Sequence, residues 1–340
     1  MAVNESGSDR KITIYDVAAA AGVSGSTVSR AFARPGRVSF ATAEKIRKVA
    51  EELGYQSVAV HRPMAQGNSR RGIIALVIAD IANPVYFDMI VGAESEAARN
   101  GYTLLLAHSQ ESSSIERVAL ERSMDIIDGI ILSSSRMSDS AIRSMAKQKP
   151  TIVMNRGVNG VSSITTDNTR GVERSLEHLA ALGHEEVLYV AGPKASWANG
   201  MRWGAIKQFA PKLGMRYSAI TPQAPTREAG SAVVAEVVSS GATAVIAYND
   251  VLALGVMHAL QLRGLRVPLD VSIIGFDNSS AAELVRPGLT TVAAPLQSLG
   301  ETAVRNLLAL TRGAVSSADS ALVLPTKLIV RNSTGAPRRT

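Results

Sequence analysis

From Ile73 onward the chain alternates short, β-branched apolar runs with longer stretches of helical character, and that alternation leaves few folds open. The series runs "IIALVIAD", a helix over Tyr86 to Arg99, "YTLLLA", a helix over Ile115 to Ser123, "GIILSS", a helix over Ser138 to Lys147, and "TIVMN". It resumes with "EVLYVAG", Gly200 to Ala210, "YSAIT", Glu228 to Ser239, "TAVIAY", Asp250 to Arg263, "VSIIGFD", Ser280 to Val285 and "TTVAA". Strands without polar alternation are buried on both faces, so the pattern predicts parallel sheets covered by helices on each side. Two such series predict an α/β body, residues 73–340, of two doubly wound parallel-sheet subdomains. The chain is expected to cross between them near 162–171 and 290–300. Ligands of such sheets bind outside the carboxyl ends of the strands, which places a cleft between the subdomains.

The first sixty residues have a different character: three helices and no strand. Thr13 can cap a helix running to Ala20 or Ala21, and Gly22 then breaks it. Ser24 can cap a second helix over Gly25 to Ala33 that buries Val28 and Phe32. A third, from about Phe40 to Leu53, spaces Ile46, Val49, Ala50 and Leu53 at helical intervals. Helix, glycine-bearing turn, helix is the helix-turn-helix plan, and "AAAAG" supplies the small residues that a steep crossing needs. Its second helix would present Gly25, Ser26 and Thr27, with Arg30 one turn on, to base edges. Arginine is the side chain best suited to a bidentate contact with guanine. Thr13, Tyr15, Ser24 and Ser29 stand at or near helix ends, where amide groups favour a phosphate.

Charge points the same way. Residues 1–71 hold 11 basic and 6 acidic side chains, a net +5, whereas the remainder holds 25 and 23, a net +2. A basic small module on a nearly neutral body suits a polyanion reader attached to a second function, and by charge alone equally a solvated basic surface.

Several classes are disfavoured. The chain has no cysteine, which removes disulfides, thiolate metal sites and cysteine nucleophiles. "MAVNESGSDRK" lacks the apolar core of a secretory signal, and no run approaches the roughly 20 apolar residues that span a bilayer. A cytoplasmic protein without a membrane partner is expected. For an enzyme, "HEEVL" from His184 lacks the second histidine of a zinc-protease helix, neither glycine-rich phosphate loop is present, and the five histidines are scattered. No cofactor is expected. A periplasmic-type sugar-binding protein would share the two-lobed body but would need a signal peptide and no residues 12–54.

"ITIYDVAAAAGVSGSTVSRAF" followed by "VSFATAEKIRKVAEELGY" resembles the DNA-binding headpiece of the lactose repressor (LacI/GalR) family of bacterial transcription regulators. "GHEEVLYVAGP", "YNDVLALGVMHALQLRGLRVPLDVSIIGFDNS" and "VRPGLTTV" are similar to that family's periplasmic-binding-protein-like effector core. The resemblance implies a headpiece over 1–57, a hinge over 58–72 and the core beyond. It also implies a homodimer on a pseudopalindromic double-stranded DNA operator, repressor rather than activator, with a small effector in the cleft setting DNA affinity. Tyr15, Ser24, Thr27, Ser29 and Arg30 match headpiece positions, and Gly25 and Ser26 fall where members vary to choose operators. The hinge departs from the family: Ser57-Val58 replaces the usual Pro-Asn, His61 an alanine, and Pro63 precedes Met64, the counterpart of the minor-groove leucine. A proline inside a helix costs about 3 kcal/mol. His61 and Met64 are still the hinge's candidate DNA contacts, His61 equally an exposed linker residue.

For the cleft, the resemblance brings Asp80, Phe87, Asn155, Arg202, Asn249 and Asp277 together, and the two tryptophans, Trp197 and Trp203, flank Arg202, where each can stack on a sugar ring. Carboxylates, amides and an arginine fork suit a polyol, so the expected effector is a sugar or sugar derivative. Each polar strand-end residue can instead be a helix cap, Arg202 can pair with Asp277, and Trp203 can serve helix packing. Ser196 and Ala198 stand where purine-responsive relatives have an arginine and a threonine, which disfavours a nucleobase.

Overall fold

The computed structural model describes residues 12–33, 38, 40–53, 55, 71–314 and 321–338. The chain divides into two compact units, Met1–Ser69 and Arg70–Thr340.

The first unit holds α1 (Ile14–Ala21), α2 (Gly25–Ala33) and α3 (Phe40–Glu52). Thr13 opens α1: its N–H and its hydroxyl both donate to the Asp16 carboxylate, at 2.7 and 2.6 Å. An acid in the first turn also complements the helix dipole. Gly22 ends α1 at φ 66°, its N–H turned back to the carbonyls of Ala18 and Ala19. Val17, Ala18 and Ala21 pack with Val28 and Ala31 of α2 and Ile46 and Ala50 of α3. The alanines are what let α1 approach its neighbours closely. Leu53, expected on the apolar face of α3, follows the end of the helix and stays 37% exposed. The side chain of Phe32 lies outside the described residues.

The second unit contains two six-stranded sheets. The first is built from β1 (Ile73–Ile78), β2 (Thr103–His108), β3 (Gly129–Ser133), β4 (Thr151–Met154), β5 (Ser163–Thr166) and β11 (Leu322–Leu324). Its order is β11-β5-β4-β3-β1-β2, every pair parallel. Helices α4 (Val85–Arg99), α5 (Ser113–Ser123) and α6 (Asp139–Ala146) connect its strands. The second sheet is built from β6 (Glu186–Val190), β7 (Arg216–Ile220), β8 (Ala244–Ala247), β9 (Ser272–Phe276), β10 (Thr290–Ala293) and β12 (Lys327–Ile329). Its order is β12-β10-β9-β8-β6-β7, parallel except for β12, which runs antiparallel to β10. Its helices are α7 (Asn168–Ala181), α8 (Trp197–Phe209), α9 (Arg227–Ala232), α10 (Val234–Ser239), α11 (Asp250–Leu262) and α12 (Ser280–Leu284). The stretch predicted as one helix over Glu228 to Ser239 is thus two, broken at Val233. In both sheets the first strand lies between the second and third, so the chain changes direction there and opens a crevice at the strand ends.

The chain crosses between the sheets three times: at Asp167, at Ala294-Pro295 before α13 (Leu296–Thr311), and at Pro325-Thr326. The third joins two three-residue strands, too short to show a period in sequence. α13 returns to the first sheet, burying Leu299, Ala303, Val304 and Leu307 against Met89, Ala93 and Ile131. Where α4 meets α13, a Cβ on Gly92 would stand 2.1 Å from the Gln297 carbonyl oxygen, and one on Gly300 2.1 Å from that of Met89. Only glycine admits that approach. Among the described residues no helix is long and apolar enough to cross a membrane.

Candidate functional site

Two surfaces carry chemistry. On the first unit, the start of α2 is ordered by its own hydroxyls: Ser24 Oγ accepts from the Thr27 N–H at 3.2 Å and lies 2.9 Å from Ser26 Oγ and 2.8 Å from Thr27 Oγ1. Ser24 therefore caps α2, as expected. With Val28 turned into the core, Ser26, Ser29 and Arg30 face outward together. Arg30 is exposed and has no ion-pair or hydrogen-bond partner among the described residues. Tyr15 is 75% exposed, and its ring lies over Gly25, where a Cβ would meet Cε1 at 3.2 Å. The space a side chain at position 25 would fill is taken by an aromatic ring from α1. His61 and Met64 lie outside the described residues.

The second surface is the crevice between the sheets of the second unit. Asn155, Arg202, Asn249 and Asp277 line it together. Arg202, only 8% exposed, is gripped between two rings, its guanidinium carbon 5.1 Å from the Tyr248 centroid and 4.0 Å from that of Phe276. Its Nε donates to Asn168 Oδ1 at 2.8 Å and its Nη1 to the Tyr248 carbonyl. Nη2 has no partner among the described residues. No ion pair joins Arg202 to Asp277 there either. Burial pushes the Asp277 carboxyl well above the usual carboxylate range, against the pull of Arg202. Asn249 has two roles in one side chain. Its Oδ1 accepts from the Leu252 N–H at 2.9 Å and caps α11, while its Nδ2 is buried without a partner. A buried donor left unmet points to a ligand, because an unpaired polar group is costly.

Backbone geometry marks the same rim. Ser134, Asn155, Asp277 and Asn278 all hold positive φ, at 56°, 58°, 112° and 53°. Such conformations persist in non-glycine residues where the surroundings over-determine them, and they cluster at ligand sites.

Three predicted cleft residues stand elsewhere. Asp80 Oδ1 accepts from the Ala82 N–H at 2.9 Å and lies 3.6 Å from His108 Nε2, outside the cavity. Phe87 is 54% exposed. One residue earlier on the same helix, buried Tyr86 is the ring that faces inward, since a single helical step turns the side chain by about 100°. Trp197 is half-buried beside Gly157 rather than in the cavity wall. Trp203 lies within the helix packing: it stacks on Tyr189 at 5.8 Å and meets Tyr217 edge-on at 5.6 Å.

Sequence reasoning missed Asn83, Tyr86, Asn168, Tyr248, Phe276 and Thr326. Tyr248 and Phe276 immediately precede Asn249 and Asp277, so the strand-end rule had the right loops and stopped one residue late. Asn168 and Thr326 belong to crossing segments, which no local pattern marks as cavity wall. Ser196, expected only as a departure from purine-responsive relatives, caps α8 and shares a 3.0 Å hydrogen bond with the Tyr248 hydroxyl.

Comparison with known proteins agrees with both surfaces. Residues 13–57 match the model of the bacterial regulatory proteins of the lacI family, and residues 176–334 match the periplasmic binding protein-like domain. The HTH-type transcriptional regulator DegA of Bacillus subtilis is 34% identical over 334 residues, 95% of this chain and 98% of that protein. The lac repressor dimer bound to operator and the anti-inducer ONPF superposes with a TM-score of 0.76 at 26% identity, over 96% of this chain and 100% of that one. The complex of the transcriptional regulator CelR with cellobiose gives a TM-score of 0.71 at 28% identity, over 95% and 99%. A helix-turn-helix with an exposed arginine on its second helix, ahead of a two-lobed α/β body with a polar crevice and matched along nearly its whole length, places the chain in the lacI family of bacterial regulatory proteins, DNA-binding transcriptional regulators rather than enzymes.

Proposed function

We propose that this regulator is a cytoplasmic repressor that binds a pseudopalindromic operator as a homodimer, and that a sugar or sugar derivative in the crevice sets its affinity for DNA. The observation that carries the effector class is the set of unspent groups around Arg202. Among the described residues Nδ2 of Asn249 is buried without a partner and Nη2 of Arg202 has none, the Asp277 carboxyl lines the same crevice, and the rings of Tyr248 and Phe276 stand beside them. Paired donors and acceptors beside aromatic faces suit vicinal hydroxyls on a ring with an apolar face. The lac repressor and CelR structures support this reading, since those proteins hold an operator and cellobiose respectively.

In this reading the headpiece spans 1–57, the hinge 58–72 and the effector core 73–340. Ser26, Thr27 and Arg30 read bases, and Thr13, Tyr15, Ser24 and Ser29 hold the backbone. The effector set is Asn155, Arg202, Asn249 and Asp277, joined by Asn168, Tyr86, Tyr248 and Phe276.

A thermal-shift screen of neutral sugars and sugar phosphates on the full chain, followed by operator binding with and without each hit, tests the proposal. A sugar that raises the melting temperature and changes operator affinity is the expected result. Stabilisation by nucleobases or amino acids alone would overturn the effector class, and equal retention of the chain by operator and random DNA would overturn the operator reading.

A further inference from the structure

Asp277 and Asn278 are consecutive non-glycine residues with positive φ, 112° and 53°, at the carboxyl end of β9. Left-handed backbone in two successive side-chain-bearing residues does not hold itself; something must clamp it. Two clamps are present, and neither belongs to the cavity wall.

The first is Asp250, buried to 1% exposure. Its Oδ2 accepts from the Ser279 N–H at 2.7 Å and its Oδ1 from the Thr291 hydroxyl at 2.6 Å. The Thr291 hydroxyl oxygen in turn accepts from the Asn278 N–H at 3.2 Å. A Cβ on Gly275 would stand 2.3 Å from Asp250 Oδ1, so glycine in β9 leaves room for this carboxylate.

The second clamp comes from the far end of the sequence. Arg331, two residues past β12, donates from Nη2 to Asn278 Oδ1 at 2.8 Å and from Nη1 to the Leu289 carbonyl at 2.8 Å. Its own N–H donates to Thr290 Oγ1 at 3.0 Å. The segment bearing it is fastened in turn. Ser333 Oγ accepts from the Thr290 N–H at 2.8 Å and donates to the Ile273 carbonyl at 2.6 Å, and Gly335 bonds to Ser272. One guanidinium thus fixes the turn that aims Asp277 to the segment preceding β10.

We propose that Arg331 is a positioning residue for the effector site: it holds Asn278 left-handed so that the Asp277 carboxyl points into the crevice, and effector affinity therefore depends on the segment that follows β12. This rests on the crevice being the effector site. A planar fork is needed because two acceptors, a side-chain amide oxygen and a backbone carbonyl, must be met at once; a lysine offers a single point charge.

The test uses the full chain with Arg331→Met, Arg331→Lys, and Asn278→Gly in both the parent and the Arg331→Met background. The probes are D-ribose, D-glucose and cellobiose, followed calorimetrically, together with hydrogen exchange of the amides of residues 277–279. Arg331→Met is expected to weaken binding of whichever sugar the parent takes by about tenfold or more and to speed exchange at those amides. Arg331→Lys, the milder change, should weaken it by at least about threefold. Glycine holds positive φ without strain, so Asn278→Gly should restore sugar affinity to the Arg331→Met protein while leaving its melting temperature low. A merely structural arginine would not be rescued that way. Unchanged sugar affinity in Arg331→Met, or no rescue by Asn278→Gly, overturns the proposal. If the parent binds none of the three sugars, that counts against the effector reading alone. The exchange of residues 277–279 then decides the positioning role, faster in Arg331→Met and slowed again by Asn278→Gly if it holds, unchanged if it does not.

Discussion

Arg202 Nε and Asn168 Oδ1 are 2.8 Å apart, a hydrogen bond that ties the helix carrying the crevice's buried cation to the first residue after the chain's first crossing between lobes. Asn168 is itself 3% exposed, and its Nδ2 donates back to the Thr166 carbonyl at 3.1 Å. The orientation of the arginine fork is therefore set by the crossing segment.

Asn168→Ala should free that fork. A hydrogen bond to a charged group contributes about 1.5–3 kcal/mol, so the effector's half-saturating concentration should rise by about tenfold or more. Operator affinity without effector should stay within about threefold of the parent. Titrating the effector against an operator-bound complex measures both, and an unmoved midpoint would remove Asn168 from the site.

Arg30→Ala should weaken operator binding by the worth of one bidentate base contact, about 1–3 kcal/mol or roughly 5- to 150-fold. The loss should be larger for operator than for random DNA at the same salt. Fluorescence anisotropy on both DNAs distinguishes a base contact from a phosphate contact, which would weaken the two equally.

Gly92→Ala and Gly300→Ala should each destabilise the effector core. An added Cβ would collide with backbone at 2.1 Å in either case, and overpacking of this kind costs about 1–3 kcal/mol or more. Chemical denaturation should show it. Gly204→Ala, in α8 with open space around it, is the control and should be neutral or stabilising.

His184 gives the core a pH dependence of definite sign. Buried to 3% exposure, its Nε2 lies 2.9 Å from the Gly335 carbonyl and its Nδ1 2.8 Å from Thr243 Oγ1, so the neutral ring bonds with Nε2 as donor. Burial pulls its pKa below the ordinary 6.5. The unfolded chain therefore binds the proton first, and stability is lost as pH falls from about 6.5 through the depressed value. Denaturation midpoints between pH 7.5 and 5 should fall more steeply for the parent than for His184→Gln; parallel slopes would refute the assignment.

Much of the fold could be read locally. Nine strands of the two sheets follow from β-branched runs, and the headpiece helices from Thr13, Gly22 and Ser24 with the apolar spacing behind them. β11 and β12 escaped because three residues give no period, and β5 lies in the stretch read only as a crossing between lobes. α13 had a readable one, with Leu299, Ala303, Val304 and Leu307 all buried at helical spacing, but in sequence it follows the second lobe's strands while in space it covers the first lobe's sheet. In the site, Asn155, Asn249 and Asp277 were legible as polar residues at the ends of apolar strands, whereas Arg202, inside α8, came only from the resemblance to the family. Phe87 and Tyr86 differ by one position, and which ring faces inward depends on the rotational phase of α4, which its neighbours set.

The sequence by itself determined the two-lobed α/β body, the helix-turn-helix and its exposed Arg30, because hydrophobic period, capping residues and glycine turns act over a few residues at a time. Only the tertiary structure decided that Arg202 bonds to Asn168 rather than pairing with Asp277, that Tyr15 covers Gly25, and that Arg331 reaches Asn278. Those relationships join residues 10 to 53 positions apart through three-dimensional packing. No local preference encodes such a distance; it is fixed when buried polar groups, which must each find a partner, are brought together by the packing of the core.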